Sequence, residues 1–539
     1  MVDRKERMYT IAAISALVCM TGFMLAFASR QSFWLDELDW TIGIISGKAI
    51  FNGRLFTPMF QVLLEQGYNL PLFYIIIKPL YELLPYGETF LLIPSILFVI
   101  AGIVIMGKAG KIIGGIDIGF FAVCIAVSSA TLIIYGGWEL RPYSITFCFS
   151  SLVLLMYIKR LKTETNKNIL LYGVSLVLLL YCHWFGSILA LFYAFADLYL
   201  YFRKKISLKC IFAYILAGML FLPWFLMMIF HHVKDLSSYW SRIPSVIEPI
   251  ITVSWLLSGT WLYCLLFGIG FILILLRNIR KNGKETPSVS RIWLFIGIGI
   301  LWTILPVYIY SRFINQSGSF YVQRYFFVIM PHVFLITAYG FLETFYALQH
   351  SFFAAANKKK LLCCMVIALF CFAFFLNYQR AYSNRSSTRE PYREVAEYLS
   401  KDEHTLSEDS LIICSGGSAW MEYYFDKRGF NIPANVAASG RSTVLQFIGN
   451  GQYMQPILLS EEDISEYEYL YLFEVHSFFS KGFIDAIQQN YILTEERQEF
   501  RPSMPKTSFV EQTVKNILRI RSSNDGKQTF GLRIYAKQT

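Results

Sequence analysis

Two adjacent carboxylates follow the first long apolar run of the chain. They are Asp36 and Glu37 in the motif Trp34-Leu35-Asp36-Glu37, at the point where the chain would leave a membrane. A carboxylate at a membrane surface is costly unless it is solvated or used. In the second case, a partly desolvated carboxylate can act as the general base that takes the proton of an acceptor hydroxyl. The alternative is an ordinary solvated loop, and position alone does not decide between the two.

A second charged group occupies a very short stretch between two apolar runs, in the motif Glu139-Leu140-Arg141-Pro142-Tyr143. Pro142 suits the first turn of a following helix, where its missing N–H is not needed. One interpretation is an ion pair between Glu139 and Arg141 that caps two helices. The other is a polar site on the same membrane face as Asp36.

Arg324 lies in the motif Tyr321-Val322-Gln323-Arg324-Tyr325, just before a late apolar run. A lone arginine at a helix end often extends its charge into the headgroup layer. A guanidinium at the bilayer surface can also hold a phosphate through two parallel hydrogen bonds. Arg324 is therefore a candidate for binding the phosphate of a lipid-linked ligand.

His183, in Tyr181-Cys182-His183-Trp184, is a further candidate on the same face. A histidine in such a turn can bind a ligand, or it can simply satisfy the backbone of the turn through a hydrogen bond. The second interpretation is the commoner one for an isolated histidine.

The composition places these residues in a membrane protein. Hydrophobic residues make up 55% of the chain and charged residues 16%, and the mean hydropathy is +0.47. These values lie outside the range of soluble globular proteins. The net charge is +11, but the basic excess lies before residue 379. This distribution argues against nucleic acid as a partner, because nucleic-acid binding needs Lys and Arg on a soluble face.

Eleven apolar runs approach the roughly 20 residues that a helix needs to cross a bilayer. They lie near 8–29, 89–106, 117–136, 143–158, 169–183, 185–202, 209–230, 250–276, 292–311, 325–348 and 361–378. Lys and Arg concentrate in alternate loops, which by the positive-inside rule places the N-terminus in the cytoplasm. An odd number of spans then places the C-terminal part outside. The sequence predicts an α-helical polytopic protein of the cell membrane with about eleven transmembrane helices.

Two domains follow from this pattern. Residues 1–378 form the membrane domain, in which 30–88 is a first external loop with two interrupted apolar stretches, 42–64 and 70–84, that suit the bilayer interface. Residues 379–539 form a soluble extracytoplasmic α/β domain, because helix-like pieces such as PYREVAEYLSK and KGFIDAIQQNY alternate with strand-like pieces such as LIICS, YLYLFEV and FGLRIYA.

These motifs, in this order, resemble the GT-C class of membrane glycosyltransferases, particularly the bacterial branch related to protein mannosyltransferases and lipid A aminoarabinose transferases. The resemblance covers roughly residues 8–345 and rests on WLDE, on Asn69-Leu70-Pro71-Leu72-Phe73-Tyr74, on ELRPY, and on Arg324-Tyr325 followed by Pro331. Where family members often have His-Pro-Pro, this chain has Asn69-Leu70-Pro71. The Trp-Trp-Asp-Tyr-Gly motif of oligosaccharyltransferases is absent, which argues against transfer of a preassembled oligosaccharide to asparagine.

The resemblance implies a polyprenyl-phosphate-sugar donor, from which one hexose or pentose passes to a cell-envelope glycolipid, wall glycan or protein on the outer membrane face. Asp36 would be the catalytic base, and a single base opposite the leaving group predicts inversion at the anomeric carbon. The residues that would bind the donor phosphate are Arg324, Tyr325 and Arg141. The candidates for contacts to the sugar, the acceptor or a divalent metal ion are Glu37, Glu139, His183 and Tyr143.

Two other classes of protein compete with the transferase. A transporter or flippase of lipid-linked sugars would suit the number of spans, but it should carry ionisable residues near the bilayer midplane and broken half-helices. Here the charged motifs gather at one membrane face. A scaffold whose external domain binds the cell wall would leave the Asp36 loop without a role.

Overall fold

A computed structural model describes residues 4–28, 32–46, 58–66, 69–84, 87–232, 243–280, 289–315, 319–351, 356–387, 392–399, 409–414, 423–424, 435–439, 445–449, 452–457, 464–474, 481–497 and 531–538. The chain divides into two compact units. The first comprises Met1–Phe27, Leu63–Ile76 and Leu92–Ala381, and the second comprises Ala28–Val62, Ile77–Leu91 and Tyr382–Thr539.

Helices dominate the chain before residue 388. They are α1 (Arg4–Phe27), α2 (Leu35–Glu37), α3 (Gly43–Ser46), α4 (Met59–Gln66), α5 (Pro71–Leu83), α6 (Glu88–Val127), α7 (Tyr143–Lys162), α8 (Asn166–Leu180), α9 (Trp184–Phe202), α10 (Leu208–His232), α11 (Glu248–Leu256), α12 (Trp261–Arg280), α13 (Val289–Ile309), α14 (Met330–Ser351) and α15 (Ala356–Ser387). Some of them are joined by the π-helical segments Leu38–Ile42, Leu132–Gly137 and Tyr310–Ile314 and by the 3₁₀ segment Gln323–Ile329.

Helix α6 is a hairpin of two arms. Its 40 residues are interrupted at Gly115, whose φ of 86° is a conformation that glycine adopts at little cost. The arms lie so close that a Cβ built on Gly110 would stand 3.1 Å from Gly119 Cα, and one built on Gly119 would stand 2.6 Å from Gly107 O. Small residues allow this approach of two helices in a membrane. The two arms correspond to the predicted runs 89–106 and 117–136.

The helices confirm the predicted polytopic architecture. Among the described residues, nine helices are long and apolar enough to cross a membrane, with α6 counted once, and α8 is a shorter apolar helix. With both arms of α6 and with α8, the helices account for the eleven predicted runs. The run near 250–276 is not one helix, however. It breaks at Ser258 and Gly259, which have φ values of 61° and 62°.

The predicted external loop contains α2 to α5. The predicted stretch 42–64 corresponds to α3 and α4, separated by residues 47–57, which lie outside the described part of the chain. Lys78 and Pro79 interrupt the apolar stretch 70–84 in the sequence, but helix α5 continues through both. Lys78 instead donates its ammonium group to Ile45 O at 3.1 Å and pairs with Glu82 at 2.9 Å, within the second unit.

In the first unit, the predicted cytoplasmic loops meet at one end of the helix bundle. Lys5 Nζ lies 2.8 Å from Asp117 Oδ1, and Lys111 Nζ lies 2.6 Å from Glu6 Oε1. Close by along α7, the buried Arg160 lies 2.6 Å from Asp197 of α9. The basic stretches around Lys5 and Lys111 therefore lie together at one end of the bundle.

The C-terminal part forms a mixed sheet within the second unit. Its elements are α16 (Tyr392–Leu399), β1 (Ser410–Cys414), β2 (Asn435–Ser439), β3 (Leu445–Gly449), β4 (Gln452–Ile457), β5 (Tyr469–Glu474), α17 (Lys481–Asn490), β6 (Tyr491–Arg497) and β7 (Gly531–Lys537). The strand order is β4-β3-β2-β1-β5-β7-β6, and β1 runs parallel to both β2 and β5. Alternate residues of β1 and β5, Leu411, Ile413, Leu470 and Leu472, are buried in its core. The sheet confirms the predicted α/β domain.

Candidate functional site

The turn that carries Glu139 and Arg141 is buried and anchored on both sides. Before it, the Trp138 indole Nε1 donates to Met24 O at 2.8 Å, and Ser95 Oγ donates to Glu139 O at 3.4 Å. After it, Pro142 precedes the first residue of α7, and its carbonyl accepts from Thr146 N at 3.1 Å. The turn is therefore held rigidly between α1, α6 and α7.

Arg324 and Tyr325 lie in the 3₁₀ segment Gln323–Ile329, which leads into α14. Helix α11 supports the start of this segment. Tyr321 and Thr252 share a hydrogen bond between their hydroxyls at 2.8 Å, and Gln323 Nε2 donates to Glu248 Oε1 at 3.0 Å. Because the chain turns at Ser258, α11 is separate from α12 and packs against the start of the segment that carries Arg324.

His183 caps the N-terminus of α9. Its Nδ1 accepts from Phe185 N at 3.3 Å, and its φ of −159° is extended backbone. Because Nδ1 is an acceptor here, the proton of the neutral ring lies on Nε2. Burial, and then the positive charge of Arg141, lowers the pKa of His183 to about 3. The imidazole is therefore neutral throughout the physiological range and presents an N–H donor.

The structure brings six of the predicted site residues together at one end of the first unit. The ring centroids of His183 and Tyr325 are 5.0 Å apart, and those of His183 and Tyr143 are 6.3 Å apart. The phenol of Tyr143 interacts electrostatically with Arg324, Arg141 and Glu139. This cluster, called here the arginine cluster, consists of Glu139, Arg141, Tyr143, His183, Arg324 and Tyr325.

The Pro-Leu-Phe-Tyr motif also contacts one of these turns. Leu72 N, in the first turn of α5, donates to Tyr181 O at 3.3 Å, two residues before His183. Asn69, at the position that differs from the family pattern, is buried, as is Tyr74. Three of the sequence motifs therefore lie in the first unit.

Asp36 and Glu37 belong to the second unit. Glu37 is buried, and its Oε2 accepts from Trp34 N at 3.1 Å, while Trp34 O accepts from Glu37 N at 2.9 Å. This reciprocal pair closes the first turn of α2 in the manner of a helix N-cap. Asp36 lies on this turn and is partly exposed to solvent. Glu37 therefore stabilises the turn, and Asp36 is the carboxylate that the turn presents.

Sequence reasoning missed a buried network next to this turn. The Tyr424 hydroxyl accepts from Phe33 N at 2.7 Å and donates to Glu88 Oε1 at 2.6 Å, and Arg393 Nη1 donates to Glu88 Oε2 at 2.6 Å. Each of these three hydrogen bonds joins residues more than 300 positions apart in the sequence, and the residues belong to no motif. Only the long-range fold could reveal them.

Glu37, Glu139 and His183 were among the residues predicted as candidates for binding a divalent metal ion. Within the described ranges, no group of three or more His, Cys, Asp or Glu residues is placed to hold a metal ion. The Nδ1 of His183 is occupied by Phe185 N–H, and the charge of Arg141 acts on the same ring. These residues do not fit a divalent cation.

The helical bundle and its C-terminal α/β domain define a polytopic membrane protein of the GT-C fold. Among solved structures, the chain is similar to ArnT from Cupriavidus metallidurans in the apo state, with 9% identity, a TM-score of 0.55, and coverage of 90% of this chain and 95% of ArnT. ArnT from the same organism bound to undecaprenyl phosphate gives 10% identity and a TM-score of 0.50, and covers 92% of this chain and 96% of that chain.

The Archaeoglobus fulgidus oligosaccharyltransferase tethered with an acceptor peptide has a TM-score of 0.47 at 10% identity, with coverage of 97% of this chain and 88% of that chain. Comparison with protein-family models gives no match, and neither does comparison with curated proteins.

Proposed function

We propose that this protein is a glycosyltransferase that moves a single sugar from a polyprenyl-phosphate-linked donor to a cell-envelope glycolipid, wall glycan or protein. The observation that carries the proposal is the arginine cluster, in which two guanidinium groups and a neutral histidine gather at one end of a GT-C bundle. ArnT, which has a similar fold, has been solved with undecaprenyl phosphate bound.

The arginine cluster fits the phosphate of such a donor. Arg141 and Arg324 supply two cations, and both interact electrostatically with Tyr143. A guanidinium can hold phosphate oxygens through paired hydrogen bonds. When the bond from the anomeric carbon to the phosphate oxygen breaks, its electron pair stays on that oxygen. Fixed cations stabilise this developing charge. Arg141, Arg324 and Tyr325 are therefore assigned to the donor phosphate.

Asp36 is the proposed base. It would take the proton of the acceptor hydroxyl while the hydroxyl oxygen bonds to the anomeric carbon, which leaves free polyprenyl phosphate as the second product. Attack opposite the leaving group inverts the configuration of that carbon. Glu139 and Tyr143 are assigned to sugar hydroxyls, because they are buried polar groups within the arginine cluster.

The basic end of the bundle supports the proposed orientation. Helix α7 runs from Tyr143 in the arginine cluster to Lys162, whose Nζ donates to Ile112 O at 2.8 Å in the basic loops. The cluster and the basic loops therefore lie at opposite ends of one membrane helix. With the basic loops in the cytoplasm, we propose that the transfer takes place on the outer face of the membrane.

Binding of a phosphorylated polyprenol tests the proposal. We expect undecaprenyl phosphate to stabilise the purified protein against heat, by about 2.7 kcal/mol at one hundred times its Kd. The variant Arg141→Ala/Arg324→Ala should lose this stabilisation. Undecaprenol is the matched control, since it has the same chain and no phosphate. Equal stabilisation by undecaprenol would contradict a phosphate site.

A pH profile tests the role of His183. We assign the Nε2–H of His183 to a hydrogen bond with the bound sugar or acceptor, and we expect His183→Gln to lower kcat/KM about 10- to 100-fold because this hydrogen bond is lost or misplaced. The pH profile between 5.5 and 8 should keep its shape, since a pKa of about 3 leaves the ring neutral over that range. The exposed His350→Gln is the control. An inflection near pH 6.5 that vanishes in His183→Gln would show that the ring titrates and would refute the assignment.

A transporter of lipid-linked sugars is less well supported. A transporter should carry ionisable residues inside its helix bundle, and the buried pair Arg160 and Asp197 is a candidate for that role. Both residues, however, lie within about two turns of the ends of α7 and α9, where Tyr214 also donates to Asp197 Oδ2 at 2.8 Å. The pair is surrounded by aromatic rings of the bundle, with the guanidinium 4.9 Å from the Tyr157 ring. It stabilises helix packing at the basic end.

A further inference from the structure

The second unit contains a buried chain of hydrogen bonds from the C-terminal domain to the Asp36 turn. Arg393 on α16 donates to Glu88 Oε2 at 2.6 Å, and Glu88 Oε1 accepts from the Tyr424 hydroxyl at 2.6 Å. The same hydroxyl accepts from Phe33 N at 2.7 Å. Phe33, Glu88 and Tyr424 are each no more than 1% exposed. This chain is called here the Tyr424 relay.

The charges of the relay fix the direction of each hydrogen bond. Burial, and then the negative charge of Glu88, raises the pKa of Tyr424, so the hydroxyl keeps its proton and donates it to the carboxylate. Burial opposes the charge of Arg393, but the carboxylates of Glu88 and Glu394 raise the pKa of its guanidinium above the ordinary value. Arg393 is therefore charged beside the Glu88 carboxylate, and the Tyr424 oxygen accepts the Phe33 N–H.

Phe33 is the point where the relay can act on Asp36. Trp34, the next residue, accepts from Glu37 N at 2.9 Å and from Leu38 N at 3.0 Å, and these two bonds form the turn that carries Asp36. The Phe33 ring is also held by Tyr423, with ring centroids 5.8 Å apart. Fixing the Phe33 amide therefore fixes the residue that enters this turn.

We infer that the C-terminal domain positions the Asp36 carboxylate, through Tyr424 and Arg393 acting on Phe33 and Glu88. The inference rests on the proposed function, because it gives Tyr424 and Arg393 a role as positioning residues for the base. It assigns the C-terminal domain a task in turnover. A displacement of about 1 Å at a reacting group is enough to slow a reaction about 100-fold.

Tyr424→Phe tests the inference, because it removes the hydroxyl and keeps the ring. We expect kcat to fall about 10- to 100-fold while the KM for the donor changes less than about twofold. We also expect faster amide hydrogen exchange in the segment 32–38, at least about tenfold, because the Phe33 N–H loses its acceptor. In an Asp36→Ala background the substitution should have no further effect on turnover.

Tyr491→Phe is the matched control. Its hydroxyl lies 2.6 Å from Ile464 O and 2.7 Å from Tyr467 O and donates its single proton to these carbonyls, so the substitution removes a buried hydrogen bond of the same domain without touching the Asp36 turn. This variant should leave both exchange in 32–38 and kcat unchanged. If Tyr424→Phe does not fold, Arg393→Lys replaces it, since lysine keeps the charge and lacks the fork that holds Glu88 and Glu394.

The outcomes separate this inference from the proposed function. Unchanged exchange in segment 32–38, or a fall in kcat that Tyr491→Phe reproduces, overturns the positioning role even if the wild type is active. If Tyr424→Phe exchanges faster but the wild type consumes no donor, the proposed transferase function is wrong. The role of the relay in positioning a catalytic base is then wrong as well. Faster exchange together with a selective fall in kcat supports both.

Discussion

Asp36→Asn should reduce kcat for sugar transfer by about 10²- to 10⁴-fold, the usual contribution of a positioned general base. Asparagine has nearly the same shape but cannot accept the proton of the acceptor hydroxyl. Asp36 is partly exposed on a turn that Glu37 closes, so the substitution should leave the fold intact. Turnover of purified protein, measured as free polyprenyl phosphate released per minute, gives the comparison.

The control for Asp36→Asn is Asp485→Asn, the same change at an exposed position of α17. It should retain full turnover. The KM for the donor should change little in Asp36→Asn, because the base is assigned to the acceptor and not to the donor phosphate. Full turnover by Asp36→Asn, in an assay where the wild type is active, would remove Asp36 from the mechanism.

Removal of either guanidinium of the arginine cluster should reduce activity nearly as much as Asp36→Asn does. We expect Arg324→Ala and Arg141→Ala each to lower kcat/KM about 10²- to 10³-fold, comparable to the removal of one group that stabilises developing charge. Arg324→Lys should recover part of the activity, since lysine restores the charge without the paired hydrogen bonds. Steady-state kinetics with donor concentration varied would separate effects on kcat from effects on KM.

Arg203→Ala provides the comparison for these variants. Arg203 is exposed at the end of α9, and its Nε donates to the Tyr199 hydroxyl at 3.3 Å. It should behave as wild type. If Arg324→Ala and Arg141→Ala also retain wild-type kcat/KM, the arginine cluster does not bind the donor phosphate.

Sequence patterns predicted the elements whose causes are local. The apolar runs gave the spans, because lipid requires long hydrophobic helices whatever the tertiary contacts. Pro142 predicted the start of α7, and the alternation in YLYLFEV and FGLRIYA predicted β5 and β7. Strand β6 was missed because its residues Thr494 to Arg497 are polar and resemble a loop.

Features that depend on tertiary contacts could not be predicted from local sequence patterns. The hydropathy of residues 250–276 hides the turn at Ser258, which separates α11 so that it can support the Arg324 segment. The neutral state of His183 depends on burial and on Arg141, which is 42 positions away. The sequence motifs identified the residues of the arginine cluster. They did not identify the Tyr424 relay, because its residues are distant in sequence and come into contact only in the folded chain.

Transfer by the purified full-length protein, reconstituted in vesicles, tests the central claim most directly. Polyprenyl-phosphate sugars with a labelled sugar are supplied with extracted envelope acceptors, and both the free polyprenyl phosphate and the labelled acceptor are measured. The account predicts that the two products appear in equal amounts and that Asp36→Asn abolishes both. Movement of the intact labelled donor across the bilayer, with no release of polyprenyl phosphate, would contradict it and identify a transporter of lipid-linked sugars.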